Sequence, residues 1–471
     1  MATDIVPPPG VTRCRNGALA AIDPIARTSG PVGPAKPRSK VTCGAMVNAA
    51  ALMRHFYRMS PTNRIILALA VGLAAGATIA ATGHAGLARV VAMLQPVGTL
   101  WVNALRMTVI PLVFSVLVTG IATAASAASA GRLAARTMLL FALFLLAAVV
   151  ATALLVPAIL AAFPVPGSAA AALRAGALAM REALPPVAPL QEWLVGIIPT
   201  NPVAAAAEGA VLPLIVFAVC FAFAITRIAA GSRARLTDFF QAVADSMVVI
   251  VHWILRVAPL GVFALALGVG YHGGLGAAGA LLYYVVLLSV VCLLATGAMY
   301  PIAAAGAALT LGEFARGAAP AQVVAASTQS SLATLPAMIE AAQQGLKLPQ
   351  GIVGLVLPLA VSLFRISTAV ANLAAAIFVA ALYGIEPGPA QLATGALISV
   401  ATSIGSVGVS SQVSYFFGVM PICLAMGLPV EVLALLLAVE VLPDIFRTIC
   451  NVTADLAVTA LLGRERRAHA R

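Results

Sequence analysis

Long apolar segments recur along most of the chain, separated by short stretches that carry glycine, proline or charge. A helix needs about 20 apolar residues to cross the hydrocarbon core of a bilayer, and each of these segments is long enough. The pattern therefore predicts a membrane protein with many helical spans. The first six spans are placed at 63–83, 98–125, 134–162, 205–229, 240–268 and 277–304.

Two later segments are apolar at both ends but hold Ser, Thr, Gly and Gln at their centres, at 314–345 and 390–427. Such centres are too polar to face lipid, but each segment can enter and leave the membrane on one side if its tip is buried in protein. We therefore predict two re-entrant hairpins with tips at 327–336 and 402–411. A long span follows each hairpin, at 349–382 and 430–462.

The unit of hairpin plus span thus occurs twice, and a duplication with one copy inverted is a common way to build a binding site in mid-membrane. We predict an all-α membrane protein with eight transmembrane helices and two re-entrant helical hairpins. Residues 59–304 hold six spans, 305–463 form the core that carries the site, and 464–471 are a basic tail. Residues 1–58 are rich in Pro, Gly and Arg, so we expect a disordered or over-extended N-terminus.

Composition supports the membrane assignment, because 62% of residues are hydrophobic and only 9% are charged. The net charge of +12 does not indicate nucleic-acid binding, since the arginines lie at segment ends and form no basic face interleaved with aromatic residues. By the positive-inside rule these ends are cytoplasmic, which predicts a multi-pass protein of the plasma (cell inner) membrane with cytoplasmic termini. The clusters are Arg132 and Arg136, then Arg227, Arg233 and Arg235, then Arg464, Arg466, Arg467 and Arg471.

The last span carries the densest set of ionisable and polar side chains. Charged residues inside a span are costly and by default functional. Helical spacing places five residues on one face: Asp444, Arg447, Thr448, Asn451 and Asp455. Arginine can bind a carboxylate through two N–H groups and aspartate can pair with an ammonium, so this face suits an amino acid with an extra carboxylate. The alternative is an Asp444–Arg447 salt bridge that only neutralises itself.

Other chemistries find little support in the sequence. The six cysteines form no CxxC pair and the five histidines lack ligand spacing, which argues against a disulfide framework and a metal site. No GxSxG elbow occurs, and no histidine lies near a serine-rich tip. We therefore expect no enzymatic activity and no cofactor.

Five motifs lie in order between residues 60 and 463. They are Arg106-Met107-Thr108-Val109-Ile110-Pro111-Leu112-Val113-Phe114, Val211-Leu212-Pro213-Leu214-Ile215-Val216-Phe217, Trp253-Ile254-Leu255-Arg256-Val257-Ala258-Pro259-Leu260-Gly261-Val262-Phe263, the tip ending Ala333-Thr334-Leu335-Pro336, and Asp444-x-x-Arg447-Thr448-x-x-Asn451-Val452-Thr453-x-Asp455. Together they resemble the dicarboxylate/amino acid:cation symporters, the glutamate transporter family.

The resemblance implies glutamate-transporter-like inverted repeats in a homotrimer. Each protomer would join a fixed scaffold to a moving transport domain, with the second hairpin as external gate. By position, Asp444 would take the amino group of the substrate and Arg447 its side-chain carboxylate. The remaining substrate contacts would come from Ser330, Ser331, Thr368, Val409, Thr448 and Asn451.

The chain departs from the family where relatives bind sodium. The seventh span reads Phe364-Arg365-Ile366-Ser367-Thr368 in place of Asn-Met-Asp-Gly-Thr, and Phe and Ile side chains offer no oxygen ligands to a hard cation. Sodium-coupled relatives carry a tyrosine and small hydroxyl residues in the third span, where this chain has Leu140, Phe144 and Leu145. The residues of the cation site, or of its replacement, are Arg365, Ser362, Ser403, Ser406, Asn451 and Asp455.

We hypothesise that the Arg365 guanidinium replaces a sodium ion and pairs with Asp455, because an unpaired buried carboxylate is costly. The alternative is that Arg365 snorkels or faces a water-filled cavity. Transport without sodium would then be exchange, facilitated diffusion or proton coupling through Glu440.

The favoured function is secondary transport of L-glutamate or L-aspartate, with C4-dicarboxylates as further candidates, by alternating access. The rival is a transport-inactive relative that acts as an amino-acid sensor or a leak pathway. The expected partners are a small acidic amino acid, membrane lipid and two further copies of the chain, with no nucleic acid.

Overall fold

The structure is a computed structural model that describes residues 11–13, 19–21, 61–129, 131–178, 195–196, 198–208, 210–274, 276–404 and 411–468. The chain divides into two units, Met1–Arg58 and Met59–Arg471. In the first unit, the strands β1 (Val11–Arg13) and β2 (Leu19–Ala21) pair antiparallel, with Val11 opposite Ala21. The disordered or over-extended N-terminus stays a prediction. The rest of the predicted N-terminal extension lies outside the described residues.

The second unit consists of helices joined by short turns over its described residues. In chain order the helices are α1 (Pro61–Thr82), α2 (Ala85–Ser129), α3 (Arg132–Ala162), α4 (Gly167–Leu178), α5 (Pro202–Ala207), α6 (Val211–Arg227), α7 (Ala230–Arg256), α8 (Ala258–Gly273), α9 (Gly276–Ala307), α10 (Leu311–Thr328), α11 (Ser331–Glu340), α12 (Gln350–Leu363), α13 (Ile366–Leu382), α14 (Pro389–Ile404), α15 (Ser411–Ala425), α16 (Leu433–Val439) and α17 (Val441–Ala468). A short π-helical turn, Ala341–Gly345, extends α11.

Seven helical segments in the described part of the chain are long and apolar enough to cross a membrane. They lie in α1, α2, α3, α7, α9, the pair α12–α13, and α17. The predicted span at 205–229 corresponds to the shorter helix α6, which begins only at Val211. The all-α character of the membrane unit is thus confirmed, while the number of eight transmembrane helices stays a prediction.

The predicted span 240–268 is wrong as a single helix, because the chain breaks at Val257. Helix α7 ends at Arg256 and α8 begins at Ala258 with Pro259 in its first turn. Proline has no N–H to donate to the preceding turn and its ring clashes with it, but it fits the start of a helix. The apolar run continues through this point, and hydrophobicity alone therefore missed the boundary.

Each predicted hairpin segment holds two helices that pack on each other: α10 with α11, and α14 with α15. The first tip is a two-residue turn at Gln329 and Ser330, where Gln329 has the left-handed φ of 51°. The described part of the second hairpin ends at Ile404 and resumes at Ser411. Part of its predicted tip, 405–410, lies outside the described residues.

Helix α13 is the centre of the core. Its residues are buried on every side from Ile366 to Ala380, as an all-round apolar helix requires. It packs against α3, α9, α14, α15 and α17. It is separated from α12 by a break at Phe364 and Arg365, whose backbones leave the helical region. Broken helices at this depth expose backbone groups that only protein can satisfy, so the break is a natural place for a site.

Candidate functional site

The polar face predicted for the last span is formed by α17. Asp444, Arg447, Thr448, Asn451 and Asp455 all lie on this helix and are between 0% and 5% exposed. The helix packs against α9, α10, α12 and α13, so its polar stripe faces other protein elements. A stripe of charged groups removed from both lipid and water needs specific partners.

Arg447 forms an ion pair with Glu440, which lies seven residues earlier in the chain. One guanidinium nitrogen, Nη1, donates to Glu440 Oε1, and the other carboxylate oxygen accepts a hydrogen bond of 2.6 Å from the Tyr284 hydroxyl on α9. Glu440 is 1% exposed and sits at the junction of α16 and α17. Glu440, seven residues before Arg447, is therefore the carboxylate that pairs directly with the guanidinium. The alternative from helical spacing was Asp444, one turn away.

The second terminal nitrogen of Arg447, Nη2, donates to the side-chain oxygen of Asn372 at 3.2 Å. Asn372 lies on α13 and is fully buried. Glu440 and Asn372 therefore hold the two terminal nitrogens of the guanidinium, which fixes the plane of the group. In the described part of the chain, Arg447 makes no further hydrogen bond.

Asn451 ties α17 to the start of α13. Its side-chain oxygen accepts a 2.9 Å hydrogen bond from the backbone N–H of Ser367, in the first turn after the break. The first four N–H groups of a helix lack partners within that helix, and Asn451 satisfies one of them. Thr368, the next residue, is also buried. Asn451 thus lies beside the backbone of the residue that precedes Thr368, and a substrate site shared by Asn451 and Thr368 stays a prediction.

Thr448 and Asp444 lie one turn apart on the same face. The Thr448 hydroxyl donates to the backbone carbonyl of Asp444 at 2.9 Å, which leaves its oxygen lone pairs available as acceptors. Asp444 stands in the first turn of α17, where the positive end of the helix dipole favours a carboxylate.

The tip of the first hairpin uses its serines in the turn. The Ser330 side chain accepts from the Ala333 N–H at 3.3 Å and so caps α11. The Thr334 hydroxyl donates to the Ser330 carbonyl at 2.8 Å. Ser331 is buried in the first turn of α11, which packs against α17. Ser330 therefore caps α11, and the substrate contacts of Ser330 and Ser331 stay predictions.

Two serines predicted for a cation site donate hydrogen bonds to backbone carbonyls. The Ser403 hydroxyl on α14 donates to the Arg365 carbonyl at 2.8 Å, so one backbone oxygen of the break is already used. The Ser362 hydroxyl donates to the Pro358 carbonyl on its own helix at 2.8 Å. Ser406 and Val409, which was predicted to contact the substrate, lie outside the described residues.

Phe364 fills the space at the break of the seventh span. Its ring is fully buried and stacks on Phe141 of α3, with centroids 4.7 Å apart and planes 7° from parallel. Phe144 meets the same ring edge-on at 6.2 Å. An apolar cluster of this kind provides no oxygen to a sodium ion.

Arg365 is half-buried in the break, and its positive charge acts on both Asp444 and Asp455. The pairing of Arg365 with Asp455 stays a prediction. Both Asp455 carboxylate oxygens are buried and accept no hydrogen bond within the described residues. A nearby positive charge such as that of Arg365 would compensate Asp455 without a direct hydrogen bond. An isolated buried carboxylate is tolerated only as a neutral acid or with such a nearby positive charge.

Sequence reasoning missed two residues of this site, Tyr284 and Asn372. Both are polar groups within long apolar helices, and a buried tyrosine hydroxyl or amide needs a hydrogen-bond partner. The two polar residues were visible in the sequence. Their positions around Arg447, on α9 and α13, could not be predicted from it. The pairing follows from the packing of three helices, which no local pattern encodes.

Comparisons with known proteins agree with this architecture. The chain matches the family model of the sodium:dicarboxylate symporter family over residues 62–465. It is 27% identical over 408 residues to the proton/glutamate-aspartate symporter of Escherichia coli K12, covering 85% of this chain and 92% of that protein.

Two further relatives are from Bacillus. A proton/sodium-glutamate symport protein of Bacillus subtilis is 29% identical and covers 79% of this chain and 86% of its own length. One from Bacillus caldotenax is 26% identical, with 84% and 92% covered. The family match spans most of the chain and includes every described helix of the site. The chain is a multi-pass membrane transporter, not an enzyme, and it belongs to the sodium:dicarboxylate symporter family.

Proposed function

We propose that the protein is a secondary transporter of acidic amino acids, L-glutamate or L-aspartate, which works by alternating access. The observation that carries this proposal is the environment of Arg447. Its guanidinium is buried in the core and held by Glu440 and Asn372 through its two terminal nitrogens. A guanidinium has five N–H donors in a fixed fork, so it can donate to a second carboxylate beside Glu440.

The neighbouring residues suit the rest of an amino acid. Asp444 lies one turn before Arg447 on the same face and carries the charge that an ammonium group needs. Thr448 offers acceptor lone pairs, and Ser331 lies on the hairpin arm that packs against α17. A substrate with two carboxylates and one ammonium thereby meets one positive and one negative group. The names of the relatives, which specify glutamate and aspartate, support the same substrate class.

We further propose that the transport cycle does not use sodium at the break of the seventh span. Phe364 and Phe141 occupy that region with stacked rings, and the Arg365 carbonyl already accepts from Ser403. The guanidinium of Arg365 serves as a resident positive charge near Asp455. The driving force is then a proton gradient, with Glu440 as the carrier, or exchange of one amino acid for another. The relatives are named for protons alone or for protons and sodium.

The proposed assembly is a homotrimer in the cell inner membrane, with both termini in the cytoplasm. The arginine clusters at the ends of the second and fourth predicted spans support this orientation. The trimer rests on the resemblance to the family.

The experiment is uptake of labelled L-aspartate and L-glutamate by the purified full chain in liposomes. Four conditions are compared: an inward sodium gradient, an inward proton gradient, neither gradient, and internal unlabelled amino acid. Arg447→Ala is the matched inactive control. Uptake that persists when choline replaces sodium supports the proposal, and strict dependence on sodium contradicts the coupling part. Binding without uptake under all four conditions favours the amino-acid sensor.

A further inference from the structure

We infer that Asn372 positions Arg447 for the acidic side chain of the substrate, and that Gly418 on the second hairpin holds Asn372 in that orientation. Neither residue belongs to the substrate or cation sites predicted from the sequence. The inference rests on the proposed function, because it concerns how the same site selects an acidic substrate. It joins three elements: α17 with Arg447, α13 with Asn372, and α15 with Gly418.

The first link is the contact between Asn372 and Arg447. Arg447 Nη2 donates to Asn372 Oδ1 at 3.2 Å, and both side chains are buried. Since Glu440 holds the other terminal nitrogen, loss of Asn372 would leave the guanidinium anchored at one point only. A group anchored at one point rotates about that contact and settles against its counter-ion. The edge of the guanidinium that meets a substrate carboxylate is therefore set by Asn372.

The second link is the direction of the amide. Arginine has only donors, so the acceptor oxygen of Asn372 must face it. The amide nitrogen, Nδ2, is then on the opposite side, where it is buried and makes no hydrogen bond with the described part of the protein. A buried donor without a partner costs stability. The amide nitrogen is left without a partner because the oxygen binds Arg447.

The third link is Gly418, which lies against this unpartnered nitrogen. A Cβ atom added at Gly418 would collide with Asn372 Nδ2 and lie 3.1 Å from Asn372 Cγ. Asn372 is fully buried within α13, so we expect it to make room for the added Cβ by turning its amide away from Arg447. A glycine is thus needed at position 418 because a larger residue would clash with the Asn372 side chain. The helical backbone at this position would accept other residues. Through Asn372, helix α15 of the second hairpin therefore affects the position of Arg447.

This arrangement predicts an effect on substrate choice as well as on protein level. A substrate with a side-chain carboxylate uses Arg447, whereas L-asparagine has the same shape without that charge. If Asn372 orients Arg447, its loss weakens binding of L-aspartate and leaves competition by L-asparagine almost unchanged. A residue that only supported packing would lower the amount of folded protein and leave the affinity ratio as it was.

The test uses the full chain in liposomes with L-aspartate as substrate and L-asparagine as competitor. Asn372→Ala is expected to raise the KM for L-aspartate about tenfold, the usual effect of losing one hydrogen bond to a charged group. Gly418→Ala is expected to do the same, and the double variant is expected to be no worse than either single variant, because both act on one contact. The control is Gly354→Ala, in α12, where an added Cβ meets nothing within 4 Å.

The outcomes separate this inference from the proposed function. If the unmodified chain does not take up acidic amino acids, the proposed function and this inference both fail. If it does, and Asn372→Ala keeps the original KM and the original preference over L-asparagine, only this inference is overturned. Losses that add in the double variant would overturn the link through Gly418. Should Gly418→Ala fail to fold, the KM and selectivity of Asn372→Ala alone decide the role of Asn372.

Discussion

Phe364 and Phe141 stack face to face, with their ring centroids 4.7 Å apart, at the break in the seventh span. Phe364 is fully buried, and the chain on either side of it leaves the helical region. The resemblance implies that sodium-coupled members of the family have an asparagine side chain at this position of the motif. In this chain the two stacked rings fill the place of that polar side chain.

The first prediction concerns the packing itself. Phe364→Ala removes the ring from a closed aromatic contact and leaves a cavity, which for Phe→Ala in a core costs about 3–5 kcal/mol. We expect a clearly lower thermal unfolding temperature of the purified protein in detergent. Phe239→Ala is the matched control, because that ring is 59% exposed and its loss creates no buried cavity. Equal effects of the two substitutions would contradict the packing role of Phe364.

The second prediction concerns Arg365. Its charge acts on Asp455, whose carboxylate accepts no hydrogen bond from the described residues. Arg365→Ala removes the compensating charge, so we expect uptake of L-aspartate to fall by at least about tenfold, which corresponds to about 1.4 kcal/mol. The measurement is the initial rate of uptake with either sodium or choline outside. Uptake equal to that of the unmodified chain would show that Arg365 does not replace a cation.

The third prediction concerns Glu440. Glu440→Gln leaves Arg447 buried without its counter-ion, and breaking a buried ion pair costs about 3–5 kcal/mol. We expect L-aspartate to stabilise this variant against heat more than it stabilises the unmodified chain, since the substrate carboxylate then supplies the missing charge. Tyr284→Phe is the control, because it removes only the hydroxyl that donates to Glu440. A smaller stabilisation by L-aspartate in Glu440→Gln would contradict the substrate contact with Arg447.

The fourth prediction concerns Asn451, which accepts from the Ser367 N–H at the start of α13. Asn451→Ala leaves that buried N–H without a partner, at a cost of about 1–3 kcal/mol. Asn451→Asp keeps an acceptor oxygen in the same place and is expected to lose less stability, measured at a pH low enough to keep the new buried carboxyl group neutral. Thermal unfolding of the two variants, compared side by side, measures the difference. If both lose the same stability, the hydrogen bond does not hold the start of α13.

The sequence predicted the outline of this fold because the physical signals are local. Apolar length marked most of the helices, and polar centres marked the two hairpin segments. The break at Val257 was missed, since the apolar run continues across it and only Pro259 indicates a boundary. The polar face of α17 was predicted from helical spacing, which is also local.

What could not be predicted is which distant residues meet that face. Tyr284 and Asn372 lie 156 and 75 residues from their partners Glu440 and Arg447, and only the packing of α9, α13 and α17 joins them. The Arg365–Asp455 pair was predicted from charge alone. Charge gives attraction but not distance, and the Asp455 carboxylate accepts no hydrogen bond from the described residues.

The central claim is that this chain moves acidic amino acids through a site built around Arg447. The most direct test is counterflow: liposomes that contain the purified protein and unlabelled L-aspartate are diluted into labelled L-aspartate, with no ion gradient. We predict accumulation of label that L-glutamate inhibits and that Arg447→Ala abolishes. Absence of counterflow in the unmodified protein, or full counterflow in the Arg447→Ala variant, would contradict the account.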